Sequence, residues 1–267
     1  MRIWGMAALC IILAQPAAAE KVAIPFVPPV GRDLVYRIEQ DRTVDGQKSR
    51  FSATRRLRFE RAGEGYVLRA TLRKIDSDAP SAATESFRAA LTPLIDVEMA
   101  FRLDARGRII ALDDIDNVWA VVSQGQERML EGFDPGSPRH RAASAVQALF
   151  TGLSAEGRLA LLAGEYLPLF LFAGGDVEDG AAGRGVRTMA GSPLGRPVNV
   201  EGVLRMEDRQ GEKVRLEERL AGDGVQVAVR YGLSTRSGLV EEQTRELTLG
   251  PRALTETRDL REAEVAR

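Results

Sequence analysis

Leu34, Tyr36 and Ile38 alternate with Val35, Arg37 and Glu39, the two-residue period of a strand with one buried face. Asp45-Gly46 then marks a hairpin turn, and the next run keeps Phe51, Ala53, Leu57 and Phe59 on one parity. Across Gly63-Glu64-Gly65 the pattern returns with Tyr66, Leu68, Ala70 and Leu72, so these runs form an antiparallel meander. Ser81 to Leu91 reads as a short helical connection that Pro93 interrupts. Val97, Met99, Phe101 and Leu103 resume the alternation, and Asp104-Ala105-Arg106-Gly107 turns the chain into Ile110 and Leu112.

At Asp113 the period changes. Ile115, Val118, Trp119, Val122, Met129 and Phe133 approximate one helix face, and Asp113, Asp114 and Asp116 suit its N-terminus. Phe133-Asp134-Pro135-Gly136-Ser137-Pro138 breaks it, and a second helix follows with Val146, Leu149, Phe150 and Leu153. Third comes LALLAGEYLPLFLFAG (159–174), the most apolar run outside the N-terminus. It is too short for a bilayer span and carries Glu165 and Pro168, so it reads as buried core. Ser154 is placed to cap its helix, Pro168 stops or kinks that helix near Leu167, and Leu169 to Phe172 leads out as an extended segment. Residues 174–202 are rich in glycine and include Pro193 and Pro197. They predict either a long surface excursion or a boundary between sheet halves, and they are the best candidate for a mobile lid. Strand patterns return at 203–207, 214–220, 225–230, 239–249 and 253–260.

These elements predict an α+β fold in which a curved antiparallel sheet or half-open barrel is formed from two sequence halves around a central helical insert. The divisions are an extended arm at 20–32 and a single domain at 33–267. That domain comprises a first β half (33–112), the helical insert (113–173), the Gly/Pro-rich loop (174–202) and a second β half (203–260). LVYRIEQ (34–40) followed by Asp45-Gly46, FRLDARGRIIAL (101–112) and SGLVEEQTRELTL (237–249) resemble segments of uncharacterised bacterial envelope proteins built on a large curved antiparallel sheet. More distantly, the pattern is similar to the half-open barrels of LolA/LolB-type lipoprotein carriers. That resemblance implies a sheet wrapped around helices that shelters acyl chains.

The N-terminus adds a location. Arg2, the apolar run MAALCIILA and the small residues Ala17, Ala18 and Ala19 have the three regions of a secretory signal peptide (1–19), with cleavage expected after Ala19 and a periplasmic destination. Cys10 is the only cysteine and lies inside the hydrophobic region. The mature chain therefore has no thiol for a disulfide, a nucleophile or a metal ligand. A net charge of −1 gives no bias towards nucleic acid, and the mature chain shows no transmembrane segment.

Chemistry is sparse. His140 is the only histidine, which excludes a histidine-rich metal site, and neither Ser137 nor Ser144 sits in a nucleophile elbow. The neighbouring acids Asp113-Asp114, Glu217-Glu218 and Glu241-Glu242 would point to opposite faces of a strand and cannot act as one catalytic pair. Asp176, Glu178 and Asp179 supply oxygen ligands in the predicted loop but match no calcium loop, and Gly183-Arg184-Gly185 lacks the strand, helix and lysine of a phosphate loop. No cofactor or metal is expected. Arg37, Arg56, Arg58, Arg69 and Arg73 take the parity opposite the apolar residues and gather on one sheet face. They form a candidate anion-binding face, unless they pair across strands with acids such as Glu39 and Glu60.

The expected function is a non-catalytic periplasmic binding or carrier protein for an apolar or lipid-like ligand. Trp119, Val122, Phe150, Leu162, Leu167, Leu169 and Phe172 are the candidate apolar pocket. The alternatives are an envelope protein-protein interaction or scaffold module without a ligand, and a carboxylate-dependent hydrolase that brings two acids together in a cleft.

Overall fold

The computed structural model describes residues 20–180, 182–190 and 198–264. Its fold is α+β: the main element is an open antiparallel sheet of 11 strands, not closed into a barrel, with a helical insert between strands. The strands are β1 (Glu20–Ile24), β2 (Asp33–Val44), β3 (Gln47–Ala62), β4 (Gly65–Ser77), β5 (Glu98–Leu103), β6 (Ile109–Leu112), β7 (Gly175–Asp179), β8 (Arg184–Ala190), β9 (Val198–Gln210), β10 (Lys213–Gly222), β11 (Val225–Ser234), β12 (Val240–Leu249) and β13 (Arg252–Glu262). The helices are α1 (Ser81–Leu91), α2 (Ile115–Glu131), α3 (Pro138–Thr151) and α4 (Ala155–Ala163).

The large sheet runs β6-β5-β4-β3-β2-β13-β12-β11-β10-β9-β8. Within each half, sequence neighbours pair, β4 and β5 across α1 and most of the others through short turns; Asp45 and Gly46, both at positive φ, close the β2–β3 hairpin with Val44 opposite Gln47. The halves meet where the last strand, β13, pairs with both β2 and β12. β13 thus sits mid-sheet and joins the two halves.

One face of the sheet is covered. Leu34, Tyr36, Leu57, Phe59, Leu68, Phe101 and their neighbours pack against Val118, Ala163, Tyr166, Leu169 and Phe170 of the insert, forming a first core. A second core gathers Val214, Leu216, Val227, Val229 and Tyr231 with Val22, Ile24, Phe172 and Val177. α2 carries Gly125 at its closest approach to α1, where an added Cβ would stand 2.6 Å from the Ala90 carbonyl oxygen. A glycine inside a helix is unfavourable by about 1 kcal/mol, so its place here reflects that close approach.

The extended arm at 20–32 lies along the body: β1 pairs with β7 in a separate sheet, and Phe26 enters the first core edge-on to Tyr66 and Phe170 at 5.1 and 5.7 Å between ring centroids. Two expectations need correction. The predicted loop 174–202 contains β7 and β8. Asp176, Glu178 and Asp179 are consequently strand residues, and Asp176 pairs with Lys21 at 3.7 Å. The remainder of that loop at 191–197, and the predicted signal peptide at 1–19, lie outside the described residues. The segment around Leu169 is helical rather than extended: α4 ends at Ala163, and Leu167–Phe170 form a tight 3₁₀ turn with Pro168 at its start. Proline is well accommodated in a first helical turn, where its missing N–H would have had no partner.

Candidate functional site

Between the two cores the covered face is crossed by polar side chains. Arg258 of β13 stands opposite Ile38 of β2 on one side and Gln243 of β12 on the other, and Gln243 stands opposite Tyr231 of β11. Arg55 and Glu256 are also buried on this face. Each lies in phase with apolar residues of its own strand: Arg55 with Phe51, Ala53, Leu57 and Phe59, and Glu256 and Arg258 with Leu254 and Leu260.

Glu165 organises one end of this seam. It follows α4, just before the 3₁₀ turn, and its carboxylate forms an ion pair with Arg55 Nη2. Its main-chain oxygen accepts a 2.6 Å hydrogen bond from Arg258 Nη1, which also donates to the Tyr36 hydroxyl at 3.0 Å. Arg258 Nε donates to Glu256 Oε1 at 2.8 Å, while Glu256 Oε2 accepts from Gln40 Nε2 at 2.7 Å. Arg55 is only 5% exposed, yet its Nε and Nη1 have no hydrogen-bond partner among the described residues. Buried donors of this kind normally find an acceptor, because stranding one costs about 1–3 kcal/mol. The Tyr166 hydroxyl, fully buried, lies beside the Arg55 guanidinium without forming a well-aligned hydrogen bond. Burial pushes the Tyr36 and Tyr166 hydroxyls above the ordinary tyrosine pKa.

Arg55, Glu165, Glu256, Arg258 and Gln40 line a groove of about 330 Å³ between β2, β3 and β13 on one side and α1 and the Gly164-Glu165 turn on the other. Its polar lining is Gln40, Ser52, Arg55, Glu165, Glu256 and Arg258; its apolar lining is Ile38, Phe51, Ala53, Phe87 and Leu91. Phe51 and Phe87 meet edge-to-face at 5.3 Å across it. The volume is at the lower end of small-molecule sites, and the mix of an apolar wall with a few fixed polar groups is their usual composition. Two acids do converge here from different elements, but Glu165 is held by Arg55 and both oxygens of Glu256 are engaged.

The candidate pocket residues read from sequence are placed elsewhere. Trp119 is buried with its ring 5.4 Å from that of Phe150, and the Arg158 guanidinium lies 5.4 Å from the Trp119 ring centre. Val122 and Phe150 are half-buried, as is Leu162, which packs on the first core. Leu169 belongs to the first core and Phe172 to the second, where it meets Tyr231 edge-on at 5.2 Å. Leu167 is exposed. None of these residues lines the groove between the sheet and α1.

On the opposite sheet face every candidate arginine has an acidic partner. Arg37 pairs with Glu39, Arg56 and Arg58 with Asp33 at 3.0 and 3.4 Å, Arg69 with Glu60 and Glu98 at 2.9 and 2.6 Å, and Arg73 with Asp96. His140 lies in the first turn of α3, where its backbone N–H donates to Ser137 Oγ at 3.0 Å, and its ring Nδ1 is 3.5 Å from Ser144 Oγ. No cluster of three or more metal-ligating side chains occurs among the described residues. No helix among them is long and apolar enough to cross a membrane.

The groove was accessible to sequence reasoning through one signal. Arg55, Arg258, Glu256 and Gln40 each occupy a position whose parity assigns it to the buried face, and Glu165 interrupts the most apolar stretch of the insert. A charge in phase with core residues is either paired, or is waiting for a partner. The chain matches no protein-family model, and no curated protein matches it.

Proposed function

We propose that this chain is a non-catalytic binding or carrier protein of the periplasm, exported by a signal peptide cleaved after Ala19, and that it holds an apolar or lipid-like ligand in the groove between the sheet and α1. The observation that carries this reading is the groove itself, in which Phe51, Phe87 and Leu91 form an apolar wall above buried polar groups. α1 contributes Phe87 and Leu91 to that wall, and none of its residues is buried.

The test is equilibrium titration with N-phenyl-1-naphthylamine, a neutral apolar fluorophore. The reading expects saturable enhancement with the folded protein and a loss of at least about tenfold in affinity for Phe87→Asp, which places a charge in the apolar wall. Absence of binding, or binding that Phe87→Asp leaves unchanged, contradicts it.

A second reading, docking of another envelope protein, is favoured by the insert's outer surface, where Leu149, Leu161, Leu167 and Leu171 are exposed. Crosslinking in the native envelope would report it, with the fourfold Leu→Ser variant expected to lose the crosslinked species. Retention of that species by the variant counts against this reading.

A further inference from the structure

Resting on the carrier reading, we propose that the groove selects a single-headed anionic amphiphile: a long-chain carboxylate whose head group meets Arg55 and whose aliphatic tail runs along Phe51, Phe87 and Leu91. The evidence for a head group is separate from the evidence for an apolar site. Arg55 lines the groove while 5% exposed, and both Nε and Nη1 stand without an acceptor among the described residues. Both nitrogens are already closed to water as well as unpaired, so hydrocarbon in the groove would leave their cost unrelieved. A ligand that brings an oxygen satisfies them, and an ionised oxygen does so about twice as strongly as a neutral one.

The surrounding charges disfavour any head group that carries more than one negative charge. Arg55 and Arg258 are matched in the groove by Glu165 and Glu256, so the four groups sum to no net charge. One carboxylate adds a single negative charge beside two existing ones. A phosphate monoester would add nearly two, against the same pair of acids, and is disfavoured by repulsion. Glu165 already occupies one edge of Arg55, with its side chain partly open to solvent. It acts as a built-in counter-ion that a ligand carboxylate must share or displace. The apolar wall then explains why a small free carboxylate would not suffice: Phe51, Phe87 and Leu91 offer nothing to acetate.

Calorimetric titration of the full mature chain with laurate and with lauryl alcohol separates head group from tail. Laurate is expected to bind about tenfold more tightly than the alcohol. Glu165→Gln, which leaves the fold's apolar packing intact, is expected to raise laurate affinity severalfold and to widen the preference for laurate over the alcohol. Arg55→Met combined with Glu165→Gln, a neutral replacement for the pair, is expected to bring the two ligands level. Equal affinity of laurate and alcohol for the wild type overturns the head-group assignment and leaves the carrier reading standing. Failure of both ligands to bind overturns both. A preference for laurate that survives in the double variant, or a Glu165→Gln variant that binds laurate no better than wild type, removes Arg55 as its source.

Discussion

Arg258 Nη1 lies 2.6 Å from the main-chain oxygen of Glu165, joining the last strand of the sheet to the turn that ends the helical insert. The same nitrogen reaches the Tyr36 hydroxyl, and the Arg258 Nε is held by Glu256. One guanidinium thus connects β13, β2 and the insert at the point where the two sheet halves meet. Because these partners are buried or nearly so, they are far more sensitive to loss of the charge than the exposed ion pairs of the opposite face.

Removing that guanidinium should therefore be costly. Arg258→Met leaves Glu256 buried with only Gln40 as partner and takes the donor from the Glu165 carbonyl. A loss of roughly 3–5 kcal/mol in urea unfolding is expected. Adding Glu256→Gln should recover part of it. A loss below about 1 kcal/mol for the single variant would show that the seam is not under this constraint.

Tyr36→Phe is a smaller change at the same place. It deletes the hydroxyl that accepts from Arg258 at 3.0 Å and leaves the ring in the first core. About 1–2 kcal/mol of destabilisation is expected, with circular dichroism unchanged. A neutral or stabilising result would mean that Arg258 is satisfied without it.

Phe26→Ala tests the arm. Phe26 packs edge-on against Phe59, Tyr66 and Phe170 at 6.3, 5.1 and 5.7 Å between ring centroids. Its removal should cost about 3–5 kcal/mol, the usual range for a buried phenylalanine. If the arm were only loosely applied, the variant would unfold at the wild-type urea midpoint.

Alkaline pH should unfold the protein cooperatively. Burial raises the pKa of Tyr36, Tyr166 and Tyr231 above the ordinary value of 10.0, aided at Tyr231 by the charge of Glu218. The folded state then holds these protons more tightly than the unfolded chain. The associated stability is complete below pH 10 and falls as the pH climbs towards the raised folded-state values. Phenolate absorbance from these tyrosines should appear together with loss of the strand signal in circular dichroism. Their ionisation near pH 10 with the strand signal intact would contradict their burial.

The strand alternation, the Asp45-Gly46 turn and the helical insert were legible in the sequence because each depends on residues close together along the chain. β1, β7 and β8 were not. β1 and β7 are short and pair with each other across the whole first half, and β8 is an edge strand whose residues are mostly exposed, so it carries no period to read. The groove was legible only in part. Parity identifies a buried face through its apolar residues, and Arg55, Glu256 and Arg258 are the polar members of that face. Their meeting with Glu165 depends on how the insert returns to the sheet, which no local pattern encodes.

The most direct test of the central claim is native mass spectrometry of the protein purified from periplasm, followed by organic extraction of the same sample. The carrier account predicts a stoichiometric apolar adduct on a chain beginning at Glu20, lost on extraction and recovered in the organic phase. A mass equal to that of the bare chain, with no lipid recovered, would contradict it.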